Sequence, residues 1–172
     1  MDYHKGAEHP PAGSRSDGKL NTTESRPGES VPPEVYTREY YLNVCEGNLE
    51  FVDSRGRVLS DRLEDAMKTL SPVPGERILD VGCGRGEVVT ASARTGAQVV
   101  GVDYAPDALL LSKETLSESG QDDAAKVALL LSNAKFLPFR DNSFDKVVML
   151  DLVEHLYPNE LDLVLQLSLI HI

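Results

Sequence analysis

The stretch Ile78–Glu87 reads ILDVGCGRGE, an apolar run that enters a glycine-rich turn and leaves it into a helix with an acid at its start. Ile78, Leu79 and Val81 form the short aliphatic run that a parallel sheet buries on both faces. Gly82, Gly84 and Gly86 let the backbone turn sharply and approach a ligand with no Cβ in the way. The helix that follows aims its unpaired N–H groups at the same place. Spacing then separates the possible ligands. A dinucleotide turn reads G-x-G-x-x-G and seats a pyrophosphate on the helix N-terminus, whereas here the third glycine comes one residue early. Asp80, just ahead of the first glycine, would repel a pyrophosphate and suits an ammonium or sulfonium group.

Outward from the turn, a helix over Glu87–Thr95 leads to Gln98–Val102 (QVVGV), a second buried strand ending in Asp103. An acid at the end of a second strand can accept both hydroxyls of a ribose, which points to an adenosine cofactor without deciding its chemistry. Further on, Asn133–Phe144 (NAKFLPFRDNSF) leads into Asp145–Leu150 (DKVVML), followed by Asp151–Leu156 (DLVEHL). Taken together, residues 76 to 165 resemble the class I S-adenosylmethionine-dependent methyltransferases, with the glycine turn as motif I. The DLVEHL segment resembles the small-molecule branch that includes quinone-biosynthesis methyltransferases.

That resemblance implies an α/β fold, a Rossmann-like parallel sheet in strand order 3-2-1-4, with the cofactor at the carboxyl ends beside the first strand. It implies S-adenosylmethionine as the cofactor. Asp80, Gly82 and Gly84 would meet its amino acid end, Asp103 its ribose and Asn133 its adenine, with Cys83, Tyr104, Ala134 and Asp151 also among the cofactor-binding residues. The family usually has Asp where this chain has Asn133, and an amide oxygen can still accept from an adenine amine. The implied reaction is an in-line displacement at the methyl carbon of the sulfonium, with the protein aligning nucleophile and methyl. A base is needed only where the acceptor still holds its proton at neutral pH. His155, just past the fourth strand, is the candidate for that catalytic role, and a plain helix-cap or surface histidine is the competing reading.

Composition bounds the partners. The 172 residues carry a net charge of −11 and a pI near 4.7, which lacks the basic footprint that nucleic acid phosphates require. A small-molecule methyl acceptor is therefore expected, with no nucleic acid and no membrane span. The sequence contains no apolar run approaching the length of a membrane helix and no signal-like start, so a cytoplasmic location is expected. Cys45 and Cys83 offer neither metal spacing nor a disulfide framework, and Cys83 is read as packing inside the turn.

Texture divides the chain into segments. Residues 1–33 are rich in Ser, Gly and Thr with almost no periodic apolar residues, and a disordered tail is expected there. Residues 34–75 read as an N-terminal helical cap. Its helix at Leu59–Leu70 has Ser60 as candidate N-cap and Leu63, Met67 and Leu70 on one face. The aliphatic residues of this cap read as core, and Tyr36, Tyr40 and Tyr41 as candidate substrate or cofactor contacts. Residues 76–166 form a partial cofactor-binding domain: strands at Arg77–Val81, Gln98–Val102, Lys126–Leu131 and Lys146–Leu150, and helices at Glu87–Thr95, Pro106–Glu118 and from Pro158. Strands five to seven of the family are expected to be missing. The last residues, LSLIHI from Leu167, are also what one codon choice of a transposase sequencing adapter encodes, so 167–172 are expected to be a non-native end on a truncated, inactive chain. Two rivals stay open: an NAD-binding oxidoreductase, which would share Asp103, and a non-catalytic binding module.

Overall fold

The computed structural model describes residues 31–172, so residues 1–30 of the expected tail lie outside the described residues. Val31–Pro33 do not behave as tail. The Tyr104 hydroxyl donates to the Val31 carbonyl at 3.2 Å, and a 3-10 turn starts at Pro33.

That turn, Pro33–Val35, leads into helices α1 (Arg38–Asn43), α2 (Asn48–Ser54) and α3 (Asp61–Leu70). Next come β1 (Arg77–Val81), α4 (Glu87–Arg94), β2 (Gln98–Asp103), α5 (Pro106–Ser117), α6 (Gln121–Ala124), β3 (Val127–Leu131) and β4 (Lys146–Val148). A second 3-10 turn, Val153–His155, precedes α7 (Pro158–His171). The strands form one parallel sheet in the order β3-β2-β1-β4, as the sequence led us to expect. In its register Asp80 lies opposite Gly101 on one side and Val148 on the other. The last strand is shorter than its apolar run suggests. β4 has β1 as its strand neighbour and pairs only with Ile78–Asp80, so Met149 and Leu150 leave the ladder.

Strand periodicity sorts the core. Ile78 packs with Val89, Ala93 and Val99 beneath α4, while Leu79 and Val81 pack with Val102, Leu137 and Phe144 on the opposite face. Each aliphatic side chain fully buried in this way is worth about 1.5–3 kcal/mol. α4 sits close to β2 because Gly101 has no side chain. A Cβ there would lie 2.9 Å from both Val89 and Leu129 and 3.1 Å from Cys83 Sγ. A third cluster, built on Tyr36, Tyr41, Phe51, Ala105, Ala108 and Leu111, fastens the N-terminal segment to α5.

One local expectation changes. Ser60 does occupy the N-cap position of α3, but its hydroxyl makes no capping bond and is buried without a partner among the described residues. Residues 167–171 are the last turn and a half of α7, with Ser168 and His171 buried. The backbone N–H groups of Asn142 and Phe144 donate to the carbonyls of Ile170 and His171 at 3.1 and 3.0 Å, tying this helix end to the loop before β4.

Candidate active site

At the carboxyl ends of β1 and β2 the chain makes a cavity whose floor is the glycine turn. The turn is pinned from below: Gly82 and Cys83 both donate backbone N–H groups to the Val102 carbonyl, at 2.7 and 3.0 Å. It is pinned from the side by Asp103, whose Oδ2 accepts from the Gly84 N–H at 3.0 Å and whose Oδ1 accepts from the Ala105 N–H at 2.9 Å. The sequence reading gave Asp103 a ligand role only. Here it also ties the two strand ends together, and each carboxylate oxygen keeps a further lone pair. Gly82, Gly84 and Gly86 all have left-handed backbone, with φ of 79°, 50° and 78°. Their reasons differ. A Cβ on Gly86 would sit 2.8–2.9 Å from Ser112 of α5, whereas one on Gly84 would meet only the Tyr41 ring, at 3.7 Å.

Asp80 projects from β1 into this floor. It is 3% exposed, and no hydrogen bond reaches its carboxyl among the described residues. Burial first, and the neighbouring Asp103 second, push its pKa up to about 7. Burial also raises Asp103 against the pull of its backbone donors. The floor of the site is therefore a pair of desolvated acids with no cationic side chain paired to either among the described residues.

The walls come from three parts of the chain. Tyr36, Tyr40 and Tyr41 from the N-terminal segment line the cavity with Tyr104, as does Cys83 from the turn. Tyr36 and Tyr40 meet edge to face with ring centres 5.1 Å apart, and Tyr36 and Tyr104 lie 5.7 Å apart. His155 stands on the far wall, 2.9 Å through its Nδ1 from the Tyr36 hydroxyl. Burial raises the Tyr36 pKa, so the phenol keeps its proton. Which partner donates across this contact depends on the imidazole tautomer, since either Nδ1 or the hydroxyl can supply the proton. Asp151 also lines the cavity but is not free to reach inward. It has φ of 53° and takes a two-pronged bond from Arg62 at 2.9 and 2.6 Å, while the same guanidinium reaches Glu46 at 2.7 Å.

Asn133 and Ala134 lie past the end of β3, outside the lining of this cavity. Asn133 Oδ1 accepts from the Lys135 N–H at 2.9 Å, and the segment is held near Asp103 by the Ser132 N–H, which donates to the Asp103 carbonyl at 2.9 Å. One residue escaped the sequence reading entirely. Arg85, inside the turn, is 6% exposed and pairs with Glu87 at 2.9 Å. The acid after the turn was visible, but nothing in the sequence distinguished a buried partner from a solvated helix start.

A methyltransferase-domain family model matches residues 79–167, from the middle of β1 through most of α7. The chain belongs to the class I S-adenosylmethionine-dependent methyltransferases. Ubiquinone biosynthesis O-methyltransferase of Azorhizobium caulinodans is 38% identical over 88 residues, covering 51% of this chain and 33% of that protein. The protein of the same name from a Ruegeria species is 31% identical over 116 residues, 67% of this chain and 43% of its own length. The chain thus spans between a third and a half of these relatives. Among solved structures, an S-adenosylmethionine-dependent methyltransferase from Geobacter sulfurreducens in complex with S-adenosyl-L-homocysteine superposes with a TM-score of 0.57. It covers 81% of this chain and 52% of that one at 19% identity, a likeness of fold.

Family membership sets aside the oxidoreductase alternative and fixes S-adenosylmethionine as the methyltransferase family's cofactor. The expected exclusion of nucleic acid does not survive. A 23S rRNA (uracil(1939)-C(5))-methyltransferase of Shewanella sediminis is 32% identical over 84 residues, covering 49% of this chain and 19% of that protein. Likeness to an RNA methyltransferase leaves nucleic acid open as an acceptor class. No helix among the described residues is long and apolar enough to cross a membrane.

Proposed function

We propose that this protein transfers the methyl group of S-adenosylmethionine to a small-molecule acceptor. The observation that carries the reading is Asp80, a buried carboxyl beside the glycine turn that no cation among the described residues neutralises. Such a group favours a positively charged ligand, and S-adenosylmethionine brings an ammonium and a sulfonium. The residues fit that cofactor. Asp80, Gly82, Cys83 and Gly84 would hold its amino acid end, and Asp103 and Tyr104 its ribose. Asn133 and Ala134 lie one strand further out, on the adenine side, where the second lone pair of Asn133 Oδ1 is what remains for an adenine amine. Bound there, the cofactor supplies an activated methyl group that needs no further chemistry from the protein.

The chain's own work is then to orient the acceptor, exclude water and handle one proton. The tyrosine wall supplies apolar cover. For an acceptor bearing a proton, His155 is the proposed base, acting behind Tyr36. Nδ1 would take the phenol proton as the phenol oxygen takes the acceptor's. Asp151 serves by holding Arg62 across the cavity mouth. A small molecule is preferred over RNA because the chain is acidic, with a net charge of −11.

Calorimetry with S-adenosylmethionine and with NADH tests the cofactor assignment. Binding of the first and not the second is expected, with Asp80→Asn weakening it by at least about tenfold through loss of a charge-assisted contact. Equal affinity of parent and variant would remove Asp80 from the site. Methyl transfer across phenols, amines and a ribosomal RNA transcript then decides the acceptor class.

A further inference from the structure

The turn that faces the cofactor also holds the cap in place, through one side chain. α1 and α2 have 6 and 7 residues, too short to be stable alone in water, so their position depends on what they touch. Arg85 touches most of it. Flanked by two left-handed glycines, its side chain leaves the turn on the cap side. Nη1 donates to the Tyr41 carbonyl at 3.0 Å, in the last turn of α1, where carbonyls run out of helical N–H partners. Nη2 donates to the Glu46 carbonyl at 2.9 Å in the loop between α1 and α2. The guanidinium lies 4.5 Å from the centre of the Phe51 ring of α2, and Nε donates to Glu87 at 2.9 Å at the start of α4. One planar fork therefore gathers both cap helices, their loop and the helix after the turn, in a dry setting.

Resting on the cofactor reading above, we propose that Arg85 is a positioning residue that couples the glycine turn to the cap, so that ligand bound on the turn and docking of Arg38–Ser54 stabilise one another. The reasoning is linkage. Whatever fixes the backbone of Gly84–Gly86 fixes where the guanidinium starts, and the cap carbonyls fix where it ends. Tyr40 and Tyr41, carried on α1, then close over the turn only when the turn is ordered.

The test is hydrogen exchange of the full chain with and without S-adenosylhomocysteine. Saturation should slow exchange in α1 and α2, including the Phe51 amide outside the cavity, and at the Gly56 amide that closes the end of α2, by at least about fivefold, along the same titration curve as the turn. Removing Arg85 alone would strand a buried Glu87, so the variant is the double change Arg85→Met with Glu87→Gln, which leaves no unpaired buried charge. It should bind the ligand more weakly and lose the cap's response while the turn still responds. Arg85→Lys, with a point charge in place of the fork, should restore less than half of the effect. A purely structural role would lower the unfolding midpoint and leave the ligand-dependent slowing intact, and that result would overturn the proposal. So would a parent chain that binds the ligand with no slowing in α1 and α2, which needs no variant to fold. A parent that binds no S-adenosylhomocysteine by calorimetry would overturn the cofactor reading and this inference together.

Discussion

Ionising Asp80 works against folding. Its pKa is about 7 in the folded chain and about 3.9 in an unfolded one, so the unfolded state gives up the proton first as pH rises. The stability it contributes is full below about pH 4 and is lost as pH climbs through about 7. Asp103, also raised by burial, acts in the same direction. Urea unfolding of the parent against Asp80→Asn should show the difference between them growing in the variant's favour from pH 4 to 7. Parallel curves would mean that the carboxyl is solvated. Ligand binding should follow the opposite course, because the cation needs the ionised acid. Affinity for S-adenosylmethionine should rise with pH up to about 7, by at most about tenfold per unit, with proton release visible by calorimetry in buffers of different ionisation enthalpy.

Within the turn, adjacent glycines answer to different elements. Gly86→Ala would drive a Cβ against Ser112 in a left-handed backbone, so about 1–2 kcal/mol of strain is joined by about 1–3 kcal/mol of overpacking between α4 and α5. Gly84→Ala meets open space apart from the Tyr41 ring, so stability should fall by the strain alone while ligand affinity falls further. Denaturant midpoints beside binding isotherms separate the two, and a larger stability loss for Gly84→Ala would reverse the assignment. Much of this region was legible beforehand. The runs at Ile78–Val81 and Gln98–Val102 are apolar enough to be nothing but buried strands, and Pro106 marks the start of α5. The cap was not. Arg85 ends on the backbone carbonyls of Tyr41 and Glu46, groups that every residue possesses, so the receiving end leaves no trace in residue type. Asp151 shows the same limit: it lines the cavity as its motif led us to expect, while nothing in residue type announced the Arg62 guanidinium that reaches its carboxylate from far along the chain.

At the scale of the whole molecule, β4 and α7 leave apolar surface on one flank. α7 turns Glu160, Val164, Ser168 and His171 inward, with Leu163, Leu165, Leu169 and Ile170 exposed on the other side. A helix with a row of large aliphatic side chains left exposed is one that another surface can cover, and among the described residues β4 is a sheet edge. The chain should therefore associate with itself as concentration rises. Sedimentation equilibrium should detect this, and Leu169→Lys with Ile170→Glu should return it towards monomer. No change in the variant would show that face to be inert. The two cysteines give the molecule a clock of its own. Cys83 is a buried residue of the turn itself and Cys45 is half-buried on the cavity wall, and burial raises both thiols, Cys83 the further. A maleimide at mildly alkaline pH should consume Cys45 first in the folded chain, and Cys83 only as the glycine turn opens. The slow phase of a simple alkylation time course thus measures how often the turn opens under native conditions, with no denaturant added.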